Sequence, residues 1–230
     1  MLGLLAMAVQ AQDDDLEYKM DFGVGIGPCF YMGDANSTPF AQMSAMGAIT
    51  ARRIFNPRMA LKGNLAVGNI RGTSDGMYIP YDPYSHTPQG GNLIKVDFSR
   101  TLLDLGAQFE LNFWGFGMGK GYKEDKRITP YILAGAGITL ALGGAGANAA
   151  LNIPIGLGVK YKVKPRLNIG MEWTFRFTTS DRLDVSGVDK QQLEHPYGIV
   201  STGFKNKDGY SFMMFFLTYD MCPKLRKCNN

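Results

Sequence analysis

Hydrophobic residues alternate with polar or very small residues along much of the chain. From Glu17 to Tyr31 the even positions are apolar, whereas the odd positions are mainly charged residues and glycine. Successive side chains of a strand point to opposite faces, so this pattern predicts a strand with one apolar face. The same alternation returns in four further runs, at residues 59–68, 103–113, 153–162 and 167–177.

Three weaker runs, at residues 42–53, 130–142 and 209–221, complete the set. The last contains consecutive apolar residues from Phe212 to Leu217, so the sequence does not tell which of its faces is which. Turn residues such as Asn56-Pro57-Arg58 separate neighbouring runs. The chain therefore has eight predicted strands of about 10 to 15 residues, about twice the usual strand length of 5 to 6.

The length of these strands favours a membrane protein. A tilted strand needs about 9 to 11 residues to cross a bilayer, with its apolar side chains facing lipid. A soluble sandwich would crowd the polar faces with Lys and Glu, but here those faces are rich in glycine and alanine. Residues 128–159 carry no charge, yet Pro130, Pro154 and several glycines disfavour a transmembrane helix there. We therefore predict an all-β fold, an eight-stranded antiparallel transmembrane β-barrel of the outer-membrane type, over residues 17–221.

The two ends of the chain predict export. An apolar run from Leu2 to Val9, followed by small residues, is typical of a signal peptide, which we assign to residues 1–11. An acidic leader follows at residues 12–16, and a basic tail occupies residues 222–230. Because an exported protein meets oxidising conditions, Cys222 and Cys228 are a possible disulfide in this tail.

Composition excludes several functions. The chain has 24 basic and 20 acidic residues and a net charge of +4, and its basic residues are dispersed, which argues against nucleic acid binding. Three cysteines and two histidines are few for a four-ligand zinc site. We expect no cofactor, no metal and no small-molecule substrate.

Charged side chains on the predicted inner faces must pair, because an isolated buried charge is very costly. In an eight-stranded barrel such side chains fill the interior and leave no open pore. A proton or substrate relay is the functional alternative to a structural ionic plug. The predicted members of this lumen network are Arg52, Lys62, Asp104, Glu110, Lys160, Lys162, Glu172 and Arg176.

An even number of strands places both chain ends on the periplasmic side of an outer membrane. The outer loops then fall at residues 32–41, 71–95, 143–149 and 179–208. The turns and tail on the periplasmic side are strongly basic, which suits either anionic lipid headgroups or an acidic partner protein. The predicted partner-binding residues are Lys120, Lys123, Lys126, Arg127, Lys164, Lys224, Arg226 and Lys227.

Residues suited to enzymatic chemistry are sparse. A lipid-modifying barrel needs a nucleophile and a base near the headgroups. His86 beside Ser85 and His195 beside Glu194 are the histidine candidates, and neither has a recognisable third member. We expect no catalytic residue and no enzymatic activity.

The outer loops offer two binding hypotheses. Tyr78, Tyr81 and Tyr84, spaced among prolines, suit a binding loop for a glycan or another ligand, although an aromatic girdle or packing of the loop over the barrel is the simpler interpretation. Asp34, Asp181 and Asp184 have the chemistry to ligate calcium at the barrel mouth, although closing turns at strand ends is the simpler interpretation.

Several segments of the chain carry a family resemblance. They are the exported leader, Tyr31-Met32-Gly33-Asp34 at the end of the first strand, and the long loop that opens at Thr178. The last strand, which begins Asp208-Gly209-Tyr210 and precedes a basic cysteine-bearing tail, adds to it. Together these segments resemble the PorG-like barrels of Bacteroidetes, and the resemblance spans residues 17–228. Its outer-loop motif is carried by Asp34, Asp181, Asp184 and Ser186.

The resemblance implies a protein in the outer membrane of a Gram-negative, Bacteroidetes-type bacterium, associated with the type IX secretion and gliding machinery. It implies two kinds of partner, the lipid of the outer membrane and a periplasmic ring made of a lipoprotein and its partner subunit. The alternatives are a stand-alone barrel with a surface adhesion role and a lipid-modifying barrel enzyme.

Overall fold

Eight antiparallel strands form the molecule. The computed structural model describes residues 18–32, 40, 42–73, 97–118, 125–143, 146–179 and 208–223. Each strand pairs with the next, and β1 also pairs with β8, so the sheet closes into a barrel and the predicted fold class is confirmed. The strands are β1 (Tyr18–Met32), β2 (Ser44–Asn56), β3 (Met59–Thr73), β4 (Asp97–Asn112), β5 (Ile128–Leu142), β6 (Asn148–Lys164), β7 (Leu167–Thr178) and β8 (Gly209–Pro223).

The alternation of the sequence becomes an inside and an outside. On β3, Leu65 and Val67 are exposed on the outer wall, whereas Lys62 and Asn64 are buried inside. The same holds on β2, where Arg52 is buried and pairs in register with Lys62. A slip of one residue would exchange the two faces, so the pattern also fixes the register of each strand. Among the described residues no helix is long and apolar enough to cross a membrane.

Strands β3 and β4 are longer than their alternation predicts. β3 continues to Thr73 and β4 begins at Asp97, so they enter the segment predicted as the outer loop 71–95 and its flank. Hydrophobic alternation ends there because the outer-facing Arg71 and Ser99 are polar, while the inner-facing Ile70 remains buried. These ends therefore continue the barrel wall beyond its apolar band.

The structure settles the ambiguous register of β8. Phe212, Met214 and Phe216 point inward and are buried, whereas Phe215 and Leu217 are exposed outside. For Met214 and Phe216 the space comes from glycines on neighbouring strands. A Cβ added at Gly25 of β1 would collide with Met214, and one added at Gly170 of β7 would collide with Phe216. On this side of the barrel, large apolar side chains therefore fill the interior beside the small residues.

The seam between β1 and β8 gives the first prediction. A Cβ added at Gly27 would overlap the backbone carbonyl of Met213, so we expect Gly27→Ala to lower the free energy of unfolding by about 1 to 3 kcal/mol. Urea unfolding from lipid vesicles measures the change. Gly47→Ala is the control, because its Cβ would come no closer than 3.9 Å to another atom. Equal losses in the two variants would contradict the close packing of the seam.

Candidate functional site

The interior of the barrel is crowded with charges that balance. Twelve charged side chains among the described residues are buried, six of them basic and six acidic. All eight residues predicted for the lumen network lie here, together with four that the prediction omitted. The basic members are Arg52, Lys62, Arg100, Lys160, Lys162 and Arg176, and the acidic members are Asp21, Asp104, Glu110, Glu172, Asp208 and Asp220.

Glu110 is the centre of the charge cluster nearer the chain ends, which we call the lower cluster. Its carboxylate lies 2.9 Å from Nε of Arg52, 3.3 Å from Nζ of Lys160 and 3.6 Å from Nζ of Lys62. These cations come from three different strands and Glu110 is fully buried. Burying one carboxylate against three cations requires further acids to compensate the excess positive charge.

Two further acids supply that compensation, and a third pairs with a fourth cation. Arg52 also pairs with Asp21 at 2.7 Å, and Lys62 pairs with Glu172 at 2.5 Å. Nζ of Lys162 lies 2.5 Å from Asp220. Every strand of the barrel except β5 thus contributes a charge to this lower cluster, and β5 contributes the hydroxyl of Tyr131, which donates to Glu172 over 2.7 Å.

Asp104 is the centre of a second cluster, nearer the loops. One carboxylate oxygen accepts hydrogen bonds from the Tyr210 hydroxyl at 2.7 Å, Nδ2 of Asn152 at 2.8 Å and Nε of Arg176 at 3.2 Å. The other oxygen accepts from Nδ2 of Asn64 at 3.0 Å. Donors from four strands, β3, β6, β7 and β8, therefore surround this buried carboxylate and give both of its oxygens a partner.

Sequence analysis missed four of the charged lumen residues for identifiable reasons. Asp21 stands on the polar face of β1, so the alternation itself could have identified it. Asp220 lies on β8, whose two faces the sequence does not distinguish. Arg100 lies on the part of β4 beyond the predicted run, where its Nη2 donates to the Ala141 carbonyl at 3.1 Å. Asp208 precedes β8 and accepts a hydrogen bond from the hydroxyl of Tyr31.

Side chains leave little free space between the two clusters. A cavity of about 10 Å³, room for about one water molecule, lies between Lys62, Glu172, Arg176 and Met214. The interior is therefore packed with side chains, as eight strands require. This arrangement can carry load and hold the strand register, whereas passage of a solute would need the ion pairs to separate.

The outer wall carries a broad apolar band. Leu105 near the middle of β4 is 60% exposed, and each of the other strands also exposes aliphatic side chains. Aromatic side chains border the band at the end of the barrel that carries the short turns, which we call the turn end. They are Phe55, Phe113, Trp114, Tyr161 and Tyr219. So large an apolar surface, edged by aromatic residues, is the surface of a protein that is surrounded by lipid.

The two ends of the barrel differ in charge. The turn end consists of the β2–β3, β4–β5 and β6–β7 turns, the start of β1 and the end of β8. Asp125 is its one acidic residue outside the lumen among those the structure describes. At the loop end the exposed charged side chains of the described part of the chain are Arg71 and Asp97. The basic residues of the turn end are Lys19, Arg53, Arg58, Lys126, Arg127, Lys164 and Arg166.

Three of the predicted partner-binding residues can be placed. Lys126, Arg127 and Lys164 are exposed at the turn end. Nζ of Lys126 lies 4.5 Å from the centre of the Trp114 ring, and Nε of Arg127 donates to the carbonyl of Met118 at 3.2 Å. The other predicted partner-binding residues, Lys120, Lys123, Lys224, Arg226 and Lys227, lie outside the described residues.

Several further candidates also lie outside the described residues. They include the outer-loop motif and both histidines. Cys222 is exposed at the end of β8, and its predicted partner Cys228 is not described. Within the described ranges, no three His, Cys, Asp or Glu side chains are grouped as a metal ion requires. The predicted candidates that fall outside those ranges are Asp34, His86, Asp181, Asp184, Ser186, His195 and Cys228.

A closed barrel with an apolar outer band and a neutralised ionic interior defines the class of this protein as an eight-stranded transmembrane barrel of the outer-membrane type. The chain belongs to the family described as Domain of unknown function (DUF6089), whose model matches residues 2–230. No curated protein matches it.

Several solved structures are similar to this chain. Neisserial surface protein A (NspA) is 11% identical, with 88% of this chain and 97% of NspA covered and a TM-score of 0.50. Ail, the attachment invasion locus protein of Yersinia pestis, is 12% identical over 89% of this chain and 99% of Ail, with a TM-score of 0.48. The N-terminal barrel domain of Pseudomonas aeruginosa OprF is 9% identical over 90% of this chain and 99% of that domain, with a TM-score of 0.45. At 11% identity the likeness to NspA shows a shared fold.

The lower charge cluster generates the second prediction. Glu110→Gln leaves Arg52, Lys62 and Lys160 with less neutralising charge, so we expect a loss of about 3 to 5 kcal/mol in the free energy of unfolding. Removing one cation as well, in Glu110→Gln with Lys160→Met, is expected to recover part of that loss. Unfolding from lipid vesicles measures both. Asp97→Asn, at an exposed position of β4, is the control, and a loss at Glu110 as small as at Asp97 would contradict the assigned network.

The outer band generates the third prediction. Leu105 and Ser99 lie on the same outer face of β4, one in the apolar band and one near the loop end. Leu105→Arg is expected to cost about 2 to 4 kcal/mol of unfolding free energy in a bilayer, and Ser99→Arg about 0 to 1 kcal/mol. Unfolding from vesicles gives the difference. Equal costs at the two positions would contradict the placement of the band in lipid.

Proposed function

We propose that this chain is a non-enzymatic barrel of the outer membrane of a Gram-negative bacterium. In this proposal it serves the type IX protein secretion apparatus as a structural component, docking a periplasmic ring through its basic turn end. The resemblance of the leader, the first strand and the outer-loop motif to PorG-like barrels of Bacteroidetes supports the assignment to this machinery.

The distribution of charge carries the docking proposal. The turn end presents seven basic side chains against one acidic side chain outside the lumen in the described residues. Charges inside the lumen are balanced, so the net positive character of the described barrel lies on this end. Such a one-signed surface attracts an acidic partner and steers it into place.

The orientation of the barrel brings this surface to the periplasm. Outer-membrane barrels have short periplasmic turns and longer extracellular loops. Here two connections at the turn end are tight, Pro57-Arg58 and Pro165-Arg166, whereas the connection between β7 and β8 at the other end spans residues 179–208. The packed lumen favours a role as an anchor over a role as a conduit, because a solute would have to displace buried ion pairs.

Retention of a partner tests the proposal. We expect the protein, extracted from outer membranes in mild detergent, to retain periplasmic ring subunits. Arg127→Glu combined with Lys164→Glu changes two separate turns, and we expect about tenfold weaker retention because a favourable charge contact becomes repulsive. Quantitative mass spectrometry of the retained proteins measures it.

Arg71→Glu is the matched control, since it reverses an exposed charge at the loop end and should leave retention unchanged. Retention of no periplasmic protein by the unmodified chain would contradict the docking role. Capture of extracellular ligands alone would favour the adhesion role instead.

A further inference from the structure

The β4–β5 turn is built differently from the other two turns at its end of the barrel. Its described parts, residues 113–118 and 125–127, fold toward the β2–β3 turn and are tied to it. The Phe116 amide donates to the Pro57 carbonyl at 3.0 Å, and the Asn112 amide donates to the Arg58 carbonyl at 2.7 Å. Nδ2 of Asn112 also donates to the Pro57 carbonyl at 2.8 Å. The described parts of the turn therefore pack against the β2–β3 turn at this end of the barrel.

The two sides of this turn are also fastened to each other. The Lys126 amide donates to the Gly115 carbonyl at 2.7 Å, and the Gly117 amide donates to the Lys126 carbonyl at 3.1 Å. These bonds hold the two sides so close that a Cβ at Gly117 would lie 2.8 Å from Cβ of Asp125. The described part of the turn is thus a defined element of structure and not a loose connection.

Phe116 joins this element to the lumen. The centre of its ring lies 5.1 Å from Nζ of Lys160 and 5.1 Å from Nζ of Lys162. Both lysines are buried and ion-paired, Lys160 with Glu110 at 3.3 Å and Lys162 with Asp220 at 2.5 Å. An aromatic face attracts a cation at such distances, and the attraction grows when water is excluded. The ring is therefore a floor beneath the lowest cations of the lumen.

We propose that Phe116 is the positioning residue of the basic turn end. It holds the described parts of the β4–β5 turn, residues 113–118 and 125–127, against the lumen, so that Lys126 and Arg127 are presented in fixed positions to an acidic protein surface. The proposal rests on the proposed docking function. A preorganised basic turn loses less conformational entropy on binding than a mobile one, so the same charges bind more tightly when Phe116 is in place.

The first test needs no partner and measures how far Phe116 shields the two lumen lysines from a reagent in water. In the full chain in detergent micelles, a water-soluble amine-acylating reagent should modify Lys160 and Lys162 slowly. Phe116→Ala is expected to raise the rate at both lysines about tenfold, because the shielding ring is gone. Phe116→Tyr keeps the ring and should restore the slow rate, and Phe113→Ala, at an exposed aromatic of the same turn, should leave it slow. An unchanged rate in Phe116→Ala overturns the proposal.

The second test measures presentation of the charges. Fluorescent poly-L-glutamate is the probe, and its affinity for the full chain is measured at low salt. We expect Phe116→Ala to weaken binding about fivefold with no change in net charge, and Phe116→Tyr to restore it. Heat-modified gel mobility confirms that each variant is folded.

The outcomes separate the two ideas. If Arg127→Glu and Lys126→Glu leave the affinity for poly-L-glutamate unchanged, the basic turn does not dock acidic partners and the proposed function fails. If these charge variants weaken binding but Phe116→Ala does not, the docking surface stands and the positioning role of Phe116 is overturned.

Discussion

The fold depends on one constraint, that charges enclosed in a narrow, sealed barrel must be neutralised by one another. Six basic and six acidic side chains meet this condition among the described residues. Their partners come from strands far apart in sequence, as in the pair formed by Lys62 and Glu172. Each pair forms only in the correct register, since a slip of one residue would turn the charge toward lipid. The ionic interior therefore specifies the barrel as well as filling it.

Much of this architecture was predictable, because the lipid face and the lumen face impose opposite polarity on neighbouring residues. All eight strands follow from that alternation. It did not tell which face of β8 points inward, because residues 212–217 are apolar on both faces and the space for Met214 and Phe216 is supplied by glycines of other strands. It also ended too early on β3 and β4, because beyond the bilayer the outer face becomes polar while Ile70 inside stays buried.

Inward charges could be predicted one at a time, but their pairing could not, because it depends on the closed geometry. Nothing in the local sequence indicated that Phe116 would reach Lys160 and Lys162, since Phe116 lies in the β4–β5 turn and the two lysines lie on β6. The basic character of the turn end was readable from composition, and the structure adds its sharp contrast with the loop end. An interior with balanced charges, an apolar outer wall and one positively charged end together suit an anchor embedded in a membrane.

Fluorescence quenching at position 105 tests the orientation of the barrel wall most directly. In a chain with Leu105→Trp, Trp114→Phe and Trp173→Phe, the one remaining indole reports the surroundings of the outer face of β4. Reconstituted in vesicles, it should be strongly quenched by lipids with brominated acyl chains and barely quenched by aqueous iodide. Quenching by iodide, or by neither agent, would contradict a lipid-facing wall and with it the account of the protein as a membrane barrel.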